Sequence, residues 1–232
     1  MGATELSGAV ATATLQVHGN TLMLLPEKAV FLPECDTLLV ADVHIGKATS
    51  FRSLGVPVPA GTTDETLSLL TRLVDRLAVK RIVFLGDFLH SARSLGAATF
   101  ATLRCWRERH GALELTLVRG NHDDRAGDPP AVLDIQPVDE PLMLRGLALA
   151  HHPRPMVGAF VLSGHLHPCV NIGGRAHDWH RLPCFWFSDR VGVLPAFGAF
   201  TGMQSIRAQP GERVFAAAPD RVFELPPKAG RA

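Results

Sequence analysis

Short apolar segments recur along the chain, and each is followed by polar or glycine-rich residues. Segments 38–41, 81–85, 113–118, 147–150 and 159–162 have the length and composition of buried strands. The residues that follow each segment are typical of the turns in which strands end. The pattern predicts that these five strands form the sheet structure of the protein.

Two amphipathic helices are predicted between the first three strands. The apolar residues from Leu67 to Leu77 recur at helical spacing. Thr62 stands three residues before Glu65, which is the pattern of a capping box at a helix start. A second helix is predicted over about 97–109. Strands and helices that alternate in this way are typical of an α/β fold.

The chain is expected to form one domain between two flexible tails. Its 232 residues approach the upper limit of what one hydrophobic core serves. Residues 1–14 are small and polar, and residues 208–232 are rich in proline and glycine, so both stretches are expected to be flexible tails. Residues 15–207 contain no repeat or linker and are predicted to be the domain. Its segment 184–206, aromatic and punctuated by glycine, is expected to close a sheet.

Charge and cysteine content limit which binding partners and which cellular compartment are expected. Lys and Arg total 23 against 22 Asp and Glu, so the net charge of +1 does not by itself call for nucleic acid or an anionic membrane. The four cysteines form no C-x-x-C pair and are interpreted as reduced thiols of a cytoplasmic protein. The chain has neither a signal-peptide pattern nor a run of about 18 apolar residues, so no contact with a membrane is expected.

Side chains that bind metals follow all five predicted strands. Ligand sites of α/β sheets gather at the carboxyl ends of the strands, so these side chains are expected to converge on one site. The candidate ligands, in chain order, are Asp42, His44, Asp87, Asn121, His151, His165 and His167.

The spacing of these residues suits two ions. Asp42-x-His44 and His165-x-His167 each place two ligands on one side of an extended segment, because side chains alternate along a strand. Asp87 has two carboxylate oxygens and can bridge two cations.

The candidates then divide into two sets that share the bridging aspartate. One set is Asp42, His44, Asp87 and His167, and the other is Asp87, Asn121, His151 and His165. Mixed nitrogen and oxygen ligands suit Mn²⁺, Fe or Zn²⁺, and Mn²⁺ is the preferred ion. Two such ions favour hydrolysis of phosphoesters by an activated water.

His122 and Asp123 are candidate catalytic residues. His122 is next to the ligand Asn121 and is predicted to face the substrate, where it could protonate the leaving oxygen. Asp123 is predicted to orient the His122 ring through a hydrogen bond. Lys47 and Arg52 lie near the ligand motifs in sequence, but basic residues beside loops are more often simply solvated.

The motifs together resemble those of the calcineurin-like metallophosphoesterase superfamily. The similarity spans residues 42–167 and contains every motif in order. The surrounding residues, among them 54–62 and 182–187, are similar to the bacterial DNA ligase-associated metallophosphoesterases, and this narrower similarity extends to about residue 202. The matching motifs are Asp42-x-His44, Gly86-Asp87, Gly120-Asn121-His122-Asp123, His151 and Gly164-His165-x-His167.

The superfamily resemblance implies a four-layer α/β sandwich in which helices flank two mixed sheets. It also implies a centre of two divalent metal ions held by the seven candidate ligands, with His122 as the catalytic histidine. The fourth motif often has glycine after its histidine, whereas this chain has His152, so either His151 or His152 could be the ligand. The narrower resemblance implies an endonuclease that acts on DNA in repair, in functional association with a DNA ligase, a helicase and a nuclease.

Other functions remain open at this point. A phosphatase or phosphodiesterase for a small metabolite or nucleotide would use the same metal centre. A scaffold without activity could keep the fold, but the intact ligand motifs and His122 argue against it. The aromatic residues Trp179, Phe185, Trp186 and Phe187 could stack on bases, although clusters of this kind are more often part of a core.

Overall fold

Two mixed β-sheets pack face to face in the computed structural model. The structure describes residues 11–58, 61–173 and 179–226. The predicted tail residues 1–10 and 227–232, and residues 59–60 of the 54–62 motif, lie outside this range. The predicted α/β class and the two mixed sheets are confirmed.

The first sheet has seven strands in sequence order. Its first four strands pair antiparallel, and strands four to seven pair parallel. The strands are β1 (Ala13–Val17), β2 (Asn20–Leu24), β3 (Val30–Leu32), β4 (Thr37–Ala41), β5 (Arg81–Leu85), β6 (Glu114–Val118) and β7 (Ile135–Val138).

Among the described residues, the second sheet has nine strands, and β9, which pairs parallel with β10, lies next to the edge strand β8. Strand β13 extends this parallel group, and the remaining pairs are antiparallel except for β11 with β14. The strands are β8 (Leu142–Leu144), β9 (Leu147–Leu149), β10 (Phe160–Ser163), β11 (Pro168–Gly173), β12 (Trp179–Phe187), β13 (Val191–Val193), β14 (Gln204–Ser205), β15 (Arg213–Ala217) and β16 (Val222–Glu224).

All five predicted strands are present as β4, β5, β6, β9 and β10, and their apolar runs serve two cores. In β5, Ile82 and Phe84 point to the helix side, whereas Val83 and Leu85 point to the second sheet. This division follows from the alternation of side chains along a strand. The core between the sheets also receives Leu162 from β10. A parallel strand covered on both faces therefore needs an apolar residue at nearly every position.

Four helices connect the strands of the first sheet: α1 (Lys47–Ser53), α2 (Thr62–Leu77), α3 (Ala97–Arg109) and α4 (Asp123–Ala126). Both predicted helices are confirmed as α2 and α3, and their buried side chains Leu70 and Leu103 pack on the outer face of this sheet. The predicted capping box is wrong. Gly61, rather than Thr62, is the N-cap of α2, and it makes no side-chain hydrogen bond, because glycine has no side-chain oxygen. Among the described residues, no helix is long and apolar enough to cross a membrane.

The expectation of a flexible tail from residue 208 onward is wrong for residues 213–224. Strand β15 pairs with β12, and β16 pairs with β15, so this stretch extends the second sheet. Val214 and Phe215 are buried. Pro210 and Gly211 precede these strands and Pro219 lies between them, whereas the strands themselves carry apolar side chains that the sheet buries. At the other end, β1 begins at Ala13, inside the stretch expected to be a tail.

Replacing Phe215 by alanine should test the structural role of β15. Phe215 is 2% exposed and contacts the Phe187 ring at 5.8 Å, so Phe215→Ala should lower the free energy of unfolding by about 3 to 5 kcal/mol. Urea unfolding measures this change. Phe223→Ala is the matched control, because Phe223 is only partly buried and should lose less. Equal, small losses in both variants would show that β15 contributes nothing to the core.

Candidate metal centre

The candidate ligands converge where the two sheets meet at the carboxyl ends of their parallel strands. Asp42 follows β4, Asp87 follows β5, and His151 and His165 follow β9 and β10. Strand β4 also contacts the segment after β13, since Phe197 N–H donates to the Ala41 carbonyl at 2.8 Å. Parallel strands that end side by side thus bring these side chains to one edge, as their sequence positions predicted.

Five of the candidate ligands have a left-handed backbone conformation. The angle φ is +52° at Asp42, +48° at His44, +52° at Asp87, +72° at His165 and +47° at His167. Residues with a Cβ atom rarely adopt this region, and strained positions of this kind concentrate at functional sites. The backbone turns away sharply after each strand, so the ligand side chains face the space between the strand ends.

The first predicted set of ligands is close together. Asp42, His44 and His167 each offer one ligand atom, and these atoms lie within 4.8 Å of one another. Asp42 Oδ1 is 3.3 Å from His167 Nε2, and His44 Nε2 is 3.8 Å from Asp87 Oδ2. Four side chains from three strand ends therefore surround one small volume.

The second predicted set is equally close. His151 Nε2 lies 3.0 Å from Asn121 Oδ1 and 2.9 Å from His165 Nδ1. Asp87 Oδ1 is 3.5 Å from His151 Nε2. Asp87 thus presents one carboxylate oxygen toward each set, which is the geometry that a bridging ligand requires.

His151 and His152 are distinguished by their surroundings. His151 is fully buried against Asp87 and Asn121, whereas His152 is partly exposed and its Nδ1 is 2.8 Å from Glu140 Oε1. The other Glu140 oxygen accepts the backbone N–H groups of both histidines, at 2.8 and 2.9 Å. The structure therefore places His151 against Asp87 and Asn121, whereas His152, whose ring centroid is 4.7 Å from that of His165, lies close to the second set but is paired with Glu140. Glu140 fixes this turn, and the sequence gives no signal of that role.

Two glycines allow the close approach of the strand ends. A Cβ atom on Gly86, where φ is +76°, would lie 2.1 Å from His151 Nδ1. A Cβ atom on Gly164 would lie 2.6 Å from Asp42 Oδ2. Any larger residue at either position would displace a candidate ligand.

Several ligand atoms have no hydrogen-bond partner among the described residues. These buried atoms are Asp42 Oδ1, both ring nitrogens of His44, and His167 Nε2. A buried polar atom without a partner is costly, and each one in a folded protein calls for an explanation. A divalent cation is a suitable partner for these carboxylate and imidazole atoms. The residues present therefore fit a metal centre.

Burial also keeps most of these imidazoles in the form that binds metals. Burial, together with the nearby charge of Lys47, lowers the pKa of His44 to about 2. Burial likewise lowers the pKa of His151 and of His165. Neutral imidazole offers the lone pair that a metal needs. Conversely, burial and the nearby Asp42 raise the pKa of Asp87, so the two carboxylates disfavour each other's charge unless cations are present.

His122 lies beside the ligands with its ring orientation fixed. Its backbone N–H donates to Asp87 Oδ1 at 2.9 Å, and its Nδ1 lies 2.8 Å from the carbonyl oxygen of His90. Since a carbonyl oxygen only accepts, Nδ1 carries a hydrogen there. Nε2, 3.9 Å from Asp87 Oδ2, is therefore the ring atom that faces the candidate ligands.

Among the described residues, Asp123 makes no hydrogen bond with the His122 ring, in contrast to the prediction. Asp123 is buried, and its carboxylate accepts the backbone N–H groups of Leu89 at 3.2 Å and Gly120 at 3.0 Å. The His90 carbonyl takes the orienting role expected of Asp123. Asp123 instead joins the loops that follow β5 and β6, because its side chain points back along the helix start rather than toward the neighbouring ring.

His90 belongs to the site although its sequence position gives no motif. Its ring stacks on His122 with centroids 5.0 Å apart and contacts the His44 ring at 5.5 Å. The only sequence signal was its position three residues after Asp87. Lys47 is partly buried near the candidate ligands. Burial lowers its pKa overall, although the charges of Asp42 and Asp87 act in the opposite direction.

Aspartate, histidine and asparagine ligands at the joined edges of two mixed sheets define the metallophosphoesterase class. Within that class, the chain is 43% identical to the nuclease MPE of Pseudomonas putida. The alignment covers 92% of this chain and 100% of that chain, with a TM-score of 0.82. The chain therefore belongs to the family of metallophosphoesterases that includes this nuclease.

Two other solved structures are similar at a much lower level. The protein of unknown function AQ665 from Aquifex aeolicus has 15% identity and a TM-score of 0.37, over 61% of this chain and 81% of that chain. The phosphoesterase Yfce from E. coli has 15% identity and a TM-score of 0.38, over 78% of this chain and 86% of that chain. Similarities this low support no conclusion about function. No protein-family model and no curated protein matches the chain.

Replacing Gly86 by alanine should separate backbone strain from displacement of His151. Gly86→Ala and the control Gly19→Ala both place alanine at a positive φ, +76° and +74°, which costs roughly 1 to 2 kcal/mol. Of these two positions, Gly86 alone has a neighbour that the new Cβ would strike, since nothing lies within 4 Å of the corresponding position at Gly19. Gly86→Ala should therefore weaken Mn²⁺ binding by about 10- to 100-fold, as measured by titration calorimetry. Equal Mn²⁺ affinities in the two variants would contradict this account.

Proposed function

We propose that this protein is a metal-dependent phosphodiesterase that hydrolyses nucleic acid, with DNA as its substrate. The observation that carries the proposal is the pair of candidate ligand sets that share Asp87, the first of which has buried ligand atoms without a hydrogen-bond partner among the described residues. The name of the Pseudomonas putida relative, a nuclease, supports nucleic acid as the substrate class.

The proposed centre contains two divalent ions. Asp42, His44, Asp87 and His167 would hold one ion, and Asp87, Asn121, His151 and His165 would hold the other. Mn²⁺ is the preferred metal, with Fe or Zn²⁺ as alternatives, because the ligands are imidazole nitrogens and carboxylate or amide oxygens. When bound, such a pair activates a water molecule and stabilises charge on the phosphoryl oxygens.

His122 is proposed as the catalytic residue that handles the proton of the leaving group. Because the His90 carbonyl keeps a hydrogen on Nδ1, Nε2 is the nitrogen that would carry the transferable proton when the ring is doubly protonated. Nε2 is the ring atom near Asp87, and therefore near the phosphoester in the proposed complex. Donation from Nε2 would stabilise an alkoxide leaving group, which otherwise departs with difficulty. Asp123 supports this histidine indirectly, by holding the loop that presents it.

A role in DNA repair, in functional association with a DNA ligase and a helicase, is part of the proposal. It derives from the resemblance to the bacterial ligase-associated metallophosphoesterases, and a cytoplasmic location fits the same role. The net charge of +1 is unusual for a protein that binds nucleic acid only through phosphates, so contacts close to the centre have to contribute.

The substrate class can be tested by turnover of four substrates with Mn²⁺. These are single-stranded DNA, duplex DNA, bis-p-nitrophenyl phosphate and p-nitrophenyl phosphate. We expect cleavage of DNA and a higher kcat/KM for the diester than for the monoester. A preference for the monoester would instead favour a phosphatase of small metabolites or nucleotides, and absence of all four activities would indicate a scaffold.

Replacing His122 by alanine should separate proton transfer from metal binding. Since His122 is proposed to touch the leaving group and not the metals, His122→Ala should retain the bound Mn²⁺. It should lower kcat on DNA by about 10² to 10⁴. The loss should be smaller on bis-p-nitrophenyl phosphate, because nitrophenolate departs without a proton.

Metal analysis and kinetics on both substrates measure these effects. His180→Ala, at an exposed position of β12, is the control and should leave both rates unchanged. Loss of Mn²⁺ in His122→Ala would reassign His122 to the ligands. Equal rate losses on the two substrates would replace proton transfer with charge stabilisation.

A further inference from the structure

A row of aromatic rings leads from the candidate catalytic histidine to the protein surface. His122 stacks on His90 with centroids 5.0 Å apart and an interplanar angle of 25°. Phe51 contacts His90 at 5.9 Å, and Phe200 contacts Phe51 at 5.9 Å with the rings nearly perpendicular. These spacings are those of directly interacting aromatic pairs. A single ring, that of His90, therefore separates the Phe51–Phe200 pair from His122.

This pair differs from Phe185 and Phe187, two of the four aromatic residues considered from the sequence alone; a third, Trp179, is 69% exposed on β12 and is not part of this row. Phe185 and Phe187 are 0% and 2% exposed and belong to the core between the sheets. Phe200 is 36% exposed, and Phe51 is partly exposed. A core explanation therefore accounts for the former residues but not for the Phe51–Phe200 pair.

The surroundings of the pair are apolar next to the surface and positively charged next to the centre. Leu54 and Val56, which follow the helix of Phe51, are 65% and 42% exposed. Lys47 begins the same helix and lines one small cavity together with His44 and Phe200. A ligand here would meet a cation beside the metal centre and apolar rings farther out.

A strand of nucleic acid matches this order of groups. Its phosphates carry the negative charge and its bases carry flat aromatic faces, and each base is attached close to a phosphate. Stacking of bases on aromatic side chains is a common means of binding single strands without a strict sequence preference. A lipid surface or a second copy of this chain would use the apolar residues but would not explain why the row begins at His122.

We propose that Phe51 and Phe200 form a stacking site for a nucleobase of the strand whose phosphodiester lies at the metal centre. This inference rests on the proposed function, because it assigns the substrate group recognised beside that centre. The position of the rings then makes the base next to the scissile phosphate a determinant of substrate preference.

The test compares diesters that share the nitrophenolate leaving group and carry either a nucleoside or a methyl group on the other ester oxygen. Thymidine 5′-(p-nitrophenyl phosphate) and thymidine 3′-(p-nitrophenyl phosphate) carry a base on either side of the phosphate. Methyl p-nitrophenyl phosphate carries none. The measured quantity is the ratio of kcat/KM for each thymidine diester to kcat/KM for the methyl diester, with the Mn²⁺-loaded protein.

Removing the ring should lower this ratio for at least one thymidine diester. We expect Phe200→Ala to lower it by about 5- to 150-fold, which corresponds to the usual contribution of one base stacked on an aromatic ring. Phe51→Ala should act in the same direction. Phe200→Leu keeps an apolar side chain without a ring and should behave like alanine, whereas Phe200→Trp should retain the ratio. Val157→Ala removes an 89% exposed apolar side chain that has no place in the row and should leave the ratio unchanged.

The outcomes separate this inference from the proposed function. If the wild-type protein hydrolyses none of the diesters with Mn²⁺ bound, the proposed function fails. If the wild-type protein is active but Phe200→Ala and Phe51→Ala keep the wild-type ratio, the stacking site is wrong and the phosphodiesterase stands. Equal losses on the thymidine and methyl diesters would also reject the stacking site, since they would show a disturbed metal centre. Thermal unfolding of each variant checks that the fold is retained.

Discussion

Two carboxylates, Asp42 and Asp87, are buried together at the edge where the sheets meet. They are 0% and 3% exposed, and each offers an oxygen within 4.8 Å of the other and of His151. Burial and the nearby Asp42 raise the pKa of Asp87, so its negative charge is disfavoured there unless opposite charge is brought to it. Burial lowers the pKa of His44, His151 and His165, so these rings supply little positive charge, whereas the nearby Asp42 raises the pKa of His167 against the effect of burial. The architecture around the pair thus suits divalent cations, and the other candidate ligands surround the same space.

Two parts of the fold maintain this arrangement: strained turns carry the candidate ligands, and buried strands hold those turns in place. The ligand residues adopt left-handed conformations that isolated residues avoid, and glycines stand where a Cβ atom would strike Asp42 or His151. The strands that precede them bury apolar side chains on both faces, in the core between the sheets and in the core beneath α2 and α3. Strongly anchored strands therefore end in strained turns, and the burial of the strands stabilises those turns against relaxation.

The sequence predicted the parts of the molecule that are recorded in local patterns. Apolar runs that end in Asp42, Asp87 or His151 predicted the strands and the candidate ligands that the structure brings together, because the carboxyl ends of parallel strands share one edge. Prediction from the sequence failed where two interacting segments are far apart in the chain, or where the interacting group is one that every residue has. Asp123 was expected to orient His122, but a backbone carbonyl does so, and carbonyls are present at every residue. Strands β15 and β16 were taken for a tail, because their short apolar runs lie among prolines and glycines and their pairing partner is β12.

The aromatic row shows why substrate preference is harder to infer from sequence than catalysis. Metal ligands are restricted to a few residue types, so motifs such as Asp42-x-His44 stand out when several of them follow successive strands in one chain. Phe51 and Phe200 are ordinary apolar residues, separated by almost 150 positions, whose contact exists only in the folded chain. With a net charge of +1, long-range attraction contributes little to the choice of a polyanionic substrate. Contacts within one or two rings of His122 must then distinguish a nucleic-acid diester from other phosphoesters that the same metal centre could hydrolyse.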